Sequence, residues 1–209
     1  YAHASHLGWF DNAHKISNHG WKYLTTNGLQ GGNEINNGGF AGCAHLLNPD
    51  GSLNDGSRDT YAQAFLLLAS SWRYRAFNDP QSLECLEKTT EFLNTFLKAD
   101  NEGWVEGIPK HLPRRQNPHM HLFEAFLAAY EATSDQQFMK LADDIFYMFE
   151  SKFFDKNTHS LLEFFDINWQ PDAKTGHLTE PGHMMEWCWL IHWYSRLSGR
   201  NITDYAENL

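Results

Sequence analysis

A helical hairpin that recurs about every 60 residues is the feature that most restricts how this chain can fold. The segments Ala64-Phe65-Leu66 and Ala125-Phe126-Leu127 match at an offset of 61, each inside an apolar run that ends at a polar break. Those breaks are Asn78-Asp79 and Ser134-Asp135, and a further amphipathic run follows each. A third unit opens at Pro181, with His183 lying 62 residues after His121. The spacing of Tyr61, Phe65, Leu68 and Trp72 predicts a leading helix over about 58–77. Leu83, Leu86, Leu93 and Leu97 predict its partner over about 80–98. The second unit is expected over about 118–133 and 135–154, with Phe138, Leu141, Ile145, Met148 and Phe149 on one stripe. Proline follows a polar residue at Asp79-Pro80, Asn117-Pro118 and Glu180-Pro181, where it starts a helix without sacrificing a hydrogen bond.

Between the units the pattern changes to short β-prone runs around turns such as Asn48-Pro49-Asp50-Gly51, Asn101-Glu102-Gly103-Trp104 and Asp155-Lys156-Asn157. These clusters lack the alternation and closing glutamate of a calcium-binding EF-hand loop. Stacked hairpins of this length predict an all-α (α/α) toroid, leading helices inside and partners outside, with short β-hairpins between the helical hairpins. A closed ring of six needs about 360 residues at this repeat length. The 209 residues are therefore expected to form one partial domain, 1–209, holding about half of the ring, and the opening residues from Tyr1 read like the end of a helix. A half ring exposes apolar flanks, so the chain is expected either to cover them by self-association into a homo-oligomer or to be marginally stable.

Composition excludes some functions. Net charge is −10, from 16 Lys and Arg against 26 Asp and Glu, and no basic run occurs, which argues against nucleic acid and anionic membrane partners. No apolar stretch approaches a membrane span. Three separated cysteines, Cys43, Cys85 and Cys188, fit free thiols in a reducing cytoplasm. Aromatic residues make up 15% of the chain, a share that suits either core filling or a concave site for sugar rings.

If the leading helices start at one mouth, the polar residues at their starts converge there. These are Tyr61 on the first, Asn117 and His121 on the second, and His183 with Glu186 on the third. His183 and Glu186 are three apart and share a helix face. A carboxylate on one imidazole nitrogen raises the basicity of the other, which equips a side chain to move protons near neutral pH; a local helix contact without chemistry fits the spacing equally. His119 and His121, two apart, point away from each other on a helix, and no zinc-binding cluster is present, so no metal is expected. Hydrolysis of a glycoside needs a carboxylate pair, and none stands out among Glu186, Glu180, Glu124 and Asp59.

Three stretches carry a family resemblance. Arg114-Arg115-Gln116-Asn117-Pro118-His119-Met120-His121-Leu122-Phe123-Glu124-Ala125 resembles one block of the N-acylglucosamine 2-epimerase superfamily, and Glu180-Pro181-Gly182-His183-Met184-Met185-Glu186-Trp187 resembles another. Tyr61-Ala62-Gln63-Ala64-Phe65 resembles the helix start upstream of both. The resemblance implies an (α/α)6 barrel acting on an open-chain hexose without cofactor or metal. It implies His183 as catalytic acid/base, Glu186 as the carboxylate that orients it, and Tyr61, Asn117 and His121 as substrate-binding residues. The wording of the blocks is closer to the mannose isomerase-like branch, implying aldose–ketose isomerisation, mannose to fructose, or C2 epimerisation through an enediolate. Arg114, Arg115 and Lys174 are the cations a phosphorylated sugar would call on. Two positions the family uses, an arginine on the first inner helix and a second catalytic histidine near the C-terminus, have no counterpart in these residues. The alternative is therefore a catalytically inactive piece that acts as a sugar- or protein-binding module.

Overall fold

The computed structural model describes all 209 residues as an arc of helical hairpins. Four inner helices follow one another, α1 (Ala2–His6), α3 (Thr60–Phe77), α5 (Asn117–Thr133) and α7 (Pro181–Ser198). The outer helices are α2 (Ala13–Tyr23), α4 (Pro80–Phe92), α6 (Gln136–Met148) and α8 (Asp204–Asn208). Each inner helix packs on the next inner helix and on the outer helix that follows it in the chain. No helix is long and apolar enough to cross a membrane.

The polar breaks seen in the sequence build the whole turn from inner to outer helix. Asn78 and Ser134 close α3 and α5 in the left-handed conformation, with φ of 50° and 60°. The aspartate that follows caps the outer helix: the Asp79 carboxylate accepts from the Gln81 N–H and that of Asp135 from the Gln137 N–H. Gly199 ends α7 the same way. The outer helices depart from expectation at their C-terminal ends. In place of continued α-helix, α2, α4 and α6 each run on into a single π-helical turn, at Leu24–Gly28, Leu93–Leu97 and Phe149–Phe153.

Burial follows position in the arc. Eleven of the 17 residues of α5 are buried, because inner helices flank it on both sides and α6 backs it. Only four residues of α7 are buried, and Met185 and Trp189 on its open flank are 71% and 45% exposed. The stripe Tyr61, Phe65, Leu68 and Trp72 is not the core face of α3. That face includes Ala64, Leu67 and Ser71, while Phe65, Leu68 and Trp72 border the groove beside α1 and Tyr61 borders a second hollow next to it. Aromatic stacking binds the layers: Trp187 of α7 stacks on Phe123 of α5 and on Phe149 beyond α6, with centroids 5.3 and 4.5 Å away. Buried Arg73 of α3 ties three elements together, donating to Ser17 and Asn18 of α2 and to Ser82 of α4.

The connections contain eight two- or three-residue strands. Two pairs are the expected hairpins, β1 (Leu46–Leu47) with β2 (Leu53–Asp55) and β6 (Phe154–Asp155) with β7 (Ser160–Leu161). The other two link different connections: β3 (Arg58–Asp59) pairs with β4 (Gly107–Ile108), and β5 (Arg114–Arg115) with β8 (Phe164–Phe165). In the turns, Asp50, Asp155 and Asp172 accept backbone N–H bonds from Ser52, Asn157 and Lys174, which accounts for the Asp- and Asn-rich clusters as turn chemistry.

Candidate active site

The linked strands lead directly into the inner helices, so residues just after them are placed at one mouth of the arc. Gln116 and Asn117 follow β5, and Asp59, in β3, caps α3 ahead of Tyr61. At this mouth α5 and α7 exchange two contacts one turn apart. Asn117 Nδ2 lies 2.6 Å from His183 Nε2, and Glu186 Oε2 lies 4.0 Å from His121 Nε2.

The pairing expected between His183 and Glu186 is not the one the fold makes. His183 Nδ1 lies 3.1 and 3.0 Å from the two carboxylate oxygens of Glu163, a residue in the connection between β7 and β8. Sharing a helix face did not suffice, because the Glu186 side chain is 44% exposed and turns toward His121, whereas Glu163 is brought to the ring by the β5–β8 pairing. Glu163 is only 4% exposed, and Gln116 Nε2 donates to its Oε2 at 2.9 Å. Gln116 Oε1 in turn accepts from the indole of Trp187 at 2.8 Å. One signal in the sequence pointed to Glu163: it is a lone acid inside the apolar run Leu161-Leu162-Glu163-Phe164-Phe165. Asn117 Oδ1 is buried without a partner, which leaves a free acceptor beside His183.

His121 is held on its other side. Its Nδ1 lies 3.2 Å from Glu124 Oε2, and the rings of Phe65 and Tyr61 lie 4.6 and 5.2 Å from it. The residues that hold it line two separate hollows of about 610 Å³ each. Tyr61 and Phe65 line one together with the His45–Asp59 pair, and Glu124 lines the other with Trp72, Trp189 and Trp193. His119, by contrast, is a core residue. Its Nδ1 lies 3.0 Å from the Arg115 carbonyl, its Nε2 accepts from the Trp104 N–H at 3.0 Å, and burial pushes its pKa down to about 3.

The cations singled out for phosphate are placed elsewhere. Arg115 pairs with buried Glu106 at 2.7 Å. Burial pushes the Glu106 carboxyl up, and the attraction of Arg115 opposes that rise. Arg114 donates to Asn101 and lies over the Trp169 ring, and Lys174 sits exposed in a turn.

Fold and site together define a helical toroid with a carboxylate-held histidine, suited to proton transfer, at the mouth of its inner ring. The chain belongs to the N-acylglucosamine 2-epimerase (GlcNAc 2-epimerase) family, which it matches over residues 1–209. It is 36% identical over 178 residues to the mannose-6-phosphate isomerase of Rhizobium meliloti (strain 1021), covering 82% of this chain and 46% of that protein. It is 26% identical over 190 residues to the cellobiose 2-epimerase of Dictyoglomus turgidum, covering 84% of this chain and 46% of that protein. The fold superposes on cellobiose 2-epimerase from Bacillus thermoamylovorans B4167 with a TM-score of 0.85 at 21% identity, over 99% of this chain and 55% of that one. The chain thus spans about half the length of the curated relatives it matches.

Proposed function

We propose that the protein is a sugar isomerase or epimerase that moves a proton beside the carbonyl of an open-chain hexose, with aldose–ketose isomerisation of mannose to fructose as the leading reaction. The observation that carries this reading is the buried Glu163–His183 pair. Glu163 occupies Nδ1, which leaves Nε2 as the basic nitrogen at the mouth. In the reaction His183 Nε2 takes the proton from C2 of the aldose, leaving an enediolate with its charge on O1. Transfer of the O2 proton to O1 and return of the carbon proton to C1 gives the ketose, whereas protonation of C2 from its opposite face, by an acid placed on that face, restores the O1 carbonyl and gives the epimer. Asn117 turns its amide from His183 to a substrate hydroxyl, with its unpartnered Oδ1 as a further acceptor. His121 and Glu186 bind hydroxyls, and Tyr61 lies against the sugar. The higher identity to a mannose-6-phosphate isomerase, 36% against 26% for a cellobiose 2-epimerase, supports the ketose product. With Arg114 and Arg115 engaged in structural contacts, the residues favour the free sugar over its phosphate.

Proton NMR of D-mannose in D2O tests this reading. Fructose carrying deuterium at C1 is the expected product, and mannose 6-phosphate is expected to react more slowly. Absence of exchange on mannose, its 6-phosphate, glucose and cellobiose would sink the proposal.

Residues 1–209 are read as one partial toroidal domain that needs no cofactor and works in the cytoplasm, a placement supported by its three free thiols. The exposed Met185 and Trp189 flank favours a homo-oligomer. A sedimentation coefficient that rises with concentration is expected for the 209-residue chain, and a constant monomer value would count against it.

A further inference from the structure

The hydrogen bonds behind His183 form a chain whose direction one residue decides. An indole N–H only donates, so Trp187 forces Gln116 to present its oxygen to α7. The amide nitrogen of Gln116 then faces Glu163 and only donates, at 2.9 Å, so Glu163 Oε2 accepts. A carboxylate that accepts from Gln116 accepts from His183 as well, which places the ring proton on Nδ1. Nε2 then carries the lone pair, and the Asn117 Nδ2 group at 2.6 Å donates to it. Every bond agrees with this one direction.

Burial makes that direction hard to reverse. Gln116 and Trp187 are fully buried and Glu163 nearly so. Turning the Gln116 amide over would set its NH2 against the indole N–H and its oxygen against the carboxylate, two repulsive contacts where no water can intervene. Gln116 also stands at the N-cap of α5, yet its side chain makes no capping bond and is given wholly to this chain.

We infer that Gln116 and Trp187 are positioning residues that fix the tautomer of His183 through Glu163, holding Nε2 unprotonated and ready to accept a proton. The inference rests on His183 being the group that moves the substrate proton. Neither residue touches substrate; both act through the carboxylate. The arrangement also assigns a task to the tryptophan four residues after His183, whose N–H bond is separate from its stacking on Phe123 and Phe149.

The test is long-range proton–nitrogen NMR on the histidine-labelled 209-residue chain near neutral pH, with His183→Asn used to assign the resonance. The neutral ring is expected to carry its proton on Nδ1. Gln116→Glu keeps the shape and an acceptor for Trp187 but replaces the amide donor with a second carboxyl group, and the proton that such a buried pair must share stops Glu163 from acting purely as an acceptor for His183, whereas a packing role alone would leave the ring unchanged. It is expected to raise the Nε2–H population at least threefold, and Trp187→Phe is expected to act in the same direction while retaining an aromatic ring. An Nε2–H ring in the parent chain overturns the inference whatever the variants do, as does an unchanged ratio in either folded variant. The readout needs no substrate, so an Nδ1–H ring in a protein that exchanges no sugar protons would refute the proposed reaction and leave the hydrogen-bond chain standing.

Discussion

Replacing His183 with alanine is expected to slow deuterium incorporation into mannose about a thousandfold, the scale on which a positioned acid/base group contributes. The reason is geometric. Among the residues at the mouth, His183 has one ring nitrogen held by a buried carboxylate and the other facing an amide that a substrate displaces. Glu163→Gln is expected to cost less, about a hundredfold and mainly in kcat, because the base remains while its orientation and its charge partner weaken. His121→Ala is expected to raise KM more than it lowers kcat, since that ring lies among the aromatic side chains Tyr61 and Phe65. Circular dichroism of each variant separates misfolding from lost chemistry. A His183→Ala protein that exchanges protons within tenfold of the parent would remove His183 from the reaction, and equal losses for all three variants would point to a shared structural fault.

Acid lability governed by His119 is the second large effect expected. This ring is buried neutral, with a pKa pushed down to about 3, whereas in the unfolded chain it protonates near 6.5. The unfolded state therefore binds the extra proton first. Stability is intact above pH 6.5 and declines as pH falls from 6.5 toward 3. The decline is about 1.4 kcal/mol per pH unit, a large part of the roughly 5–15 kcal/mol that holds a typical domain folded. Asp79 and Glu131, both with lowered pKa, begin to lose their contribution only near the ordinary carboxylate range, whereas between pH 6.5 and 5 burial of His3 adds to the decline and burial of Glu106 opposes it, so the difference between the parent and His119→Gln isolates the ring. Urea titrations across that window are the measurement. His119→Gln, which keeps a donor and an acceptor, is expected to cost about 1–2 kcal/mol at pH 7.5 and to flatten the slope. Equal slopes in the two proteins would show that another group controls acid unfolding. Gly103 should tolerate no side chain beside this ring: its φ is +68°, and an added Cβ would sit 2.5 Å from His119 Nε2.

Helices, their proline starts and the residues grouped at the mouth were readable because each depends on local chemistry. Asn78-Asp79 and Ser134-Asp135 show this well, since one residue adopts the left-handed turn and the next caps the following helix. The partner of His183 was not readable in that way. Three-residue spacing makes Glu186 available to His183, but the β5–β8 pairing brings Glu163 there from 20 positions away, and strands of two residues leave no periodicity to detect. The same limit applies to Arg114 and Arg115, whose partners Asn101 and Glu106 lie 13 and 9 positions away within the same irregular connection. The π-helical turns escaped notice because the apolar stripe of an outer helix continues through them unchanged.

Glu106 and Glu163 hold corresponding places in successive connections, each a lone acid in an apolar run and each nearly inaccessible. Glu106 holds the Arg115 backbone N–H and guanidinium, while Glu163 holds a titratable ring. Duplication of such a unit copies its buried carboxylate along with its helices, so an ancestor built from repeats inherits one anion socket per copy. A single substitution that places a histidine opposite a socket then creates a held base without any new backbone, and the neighbouring copy goes on serving as masonry.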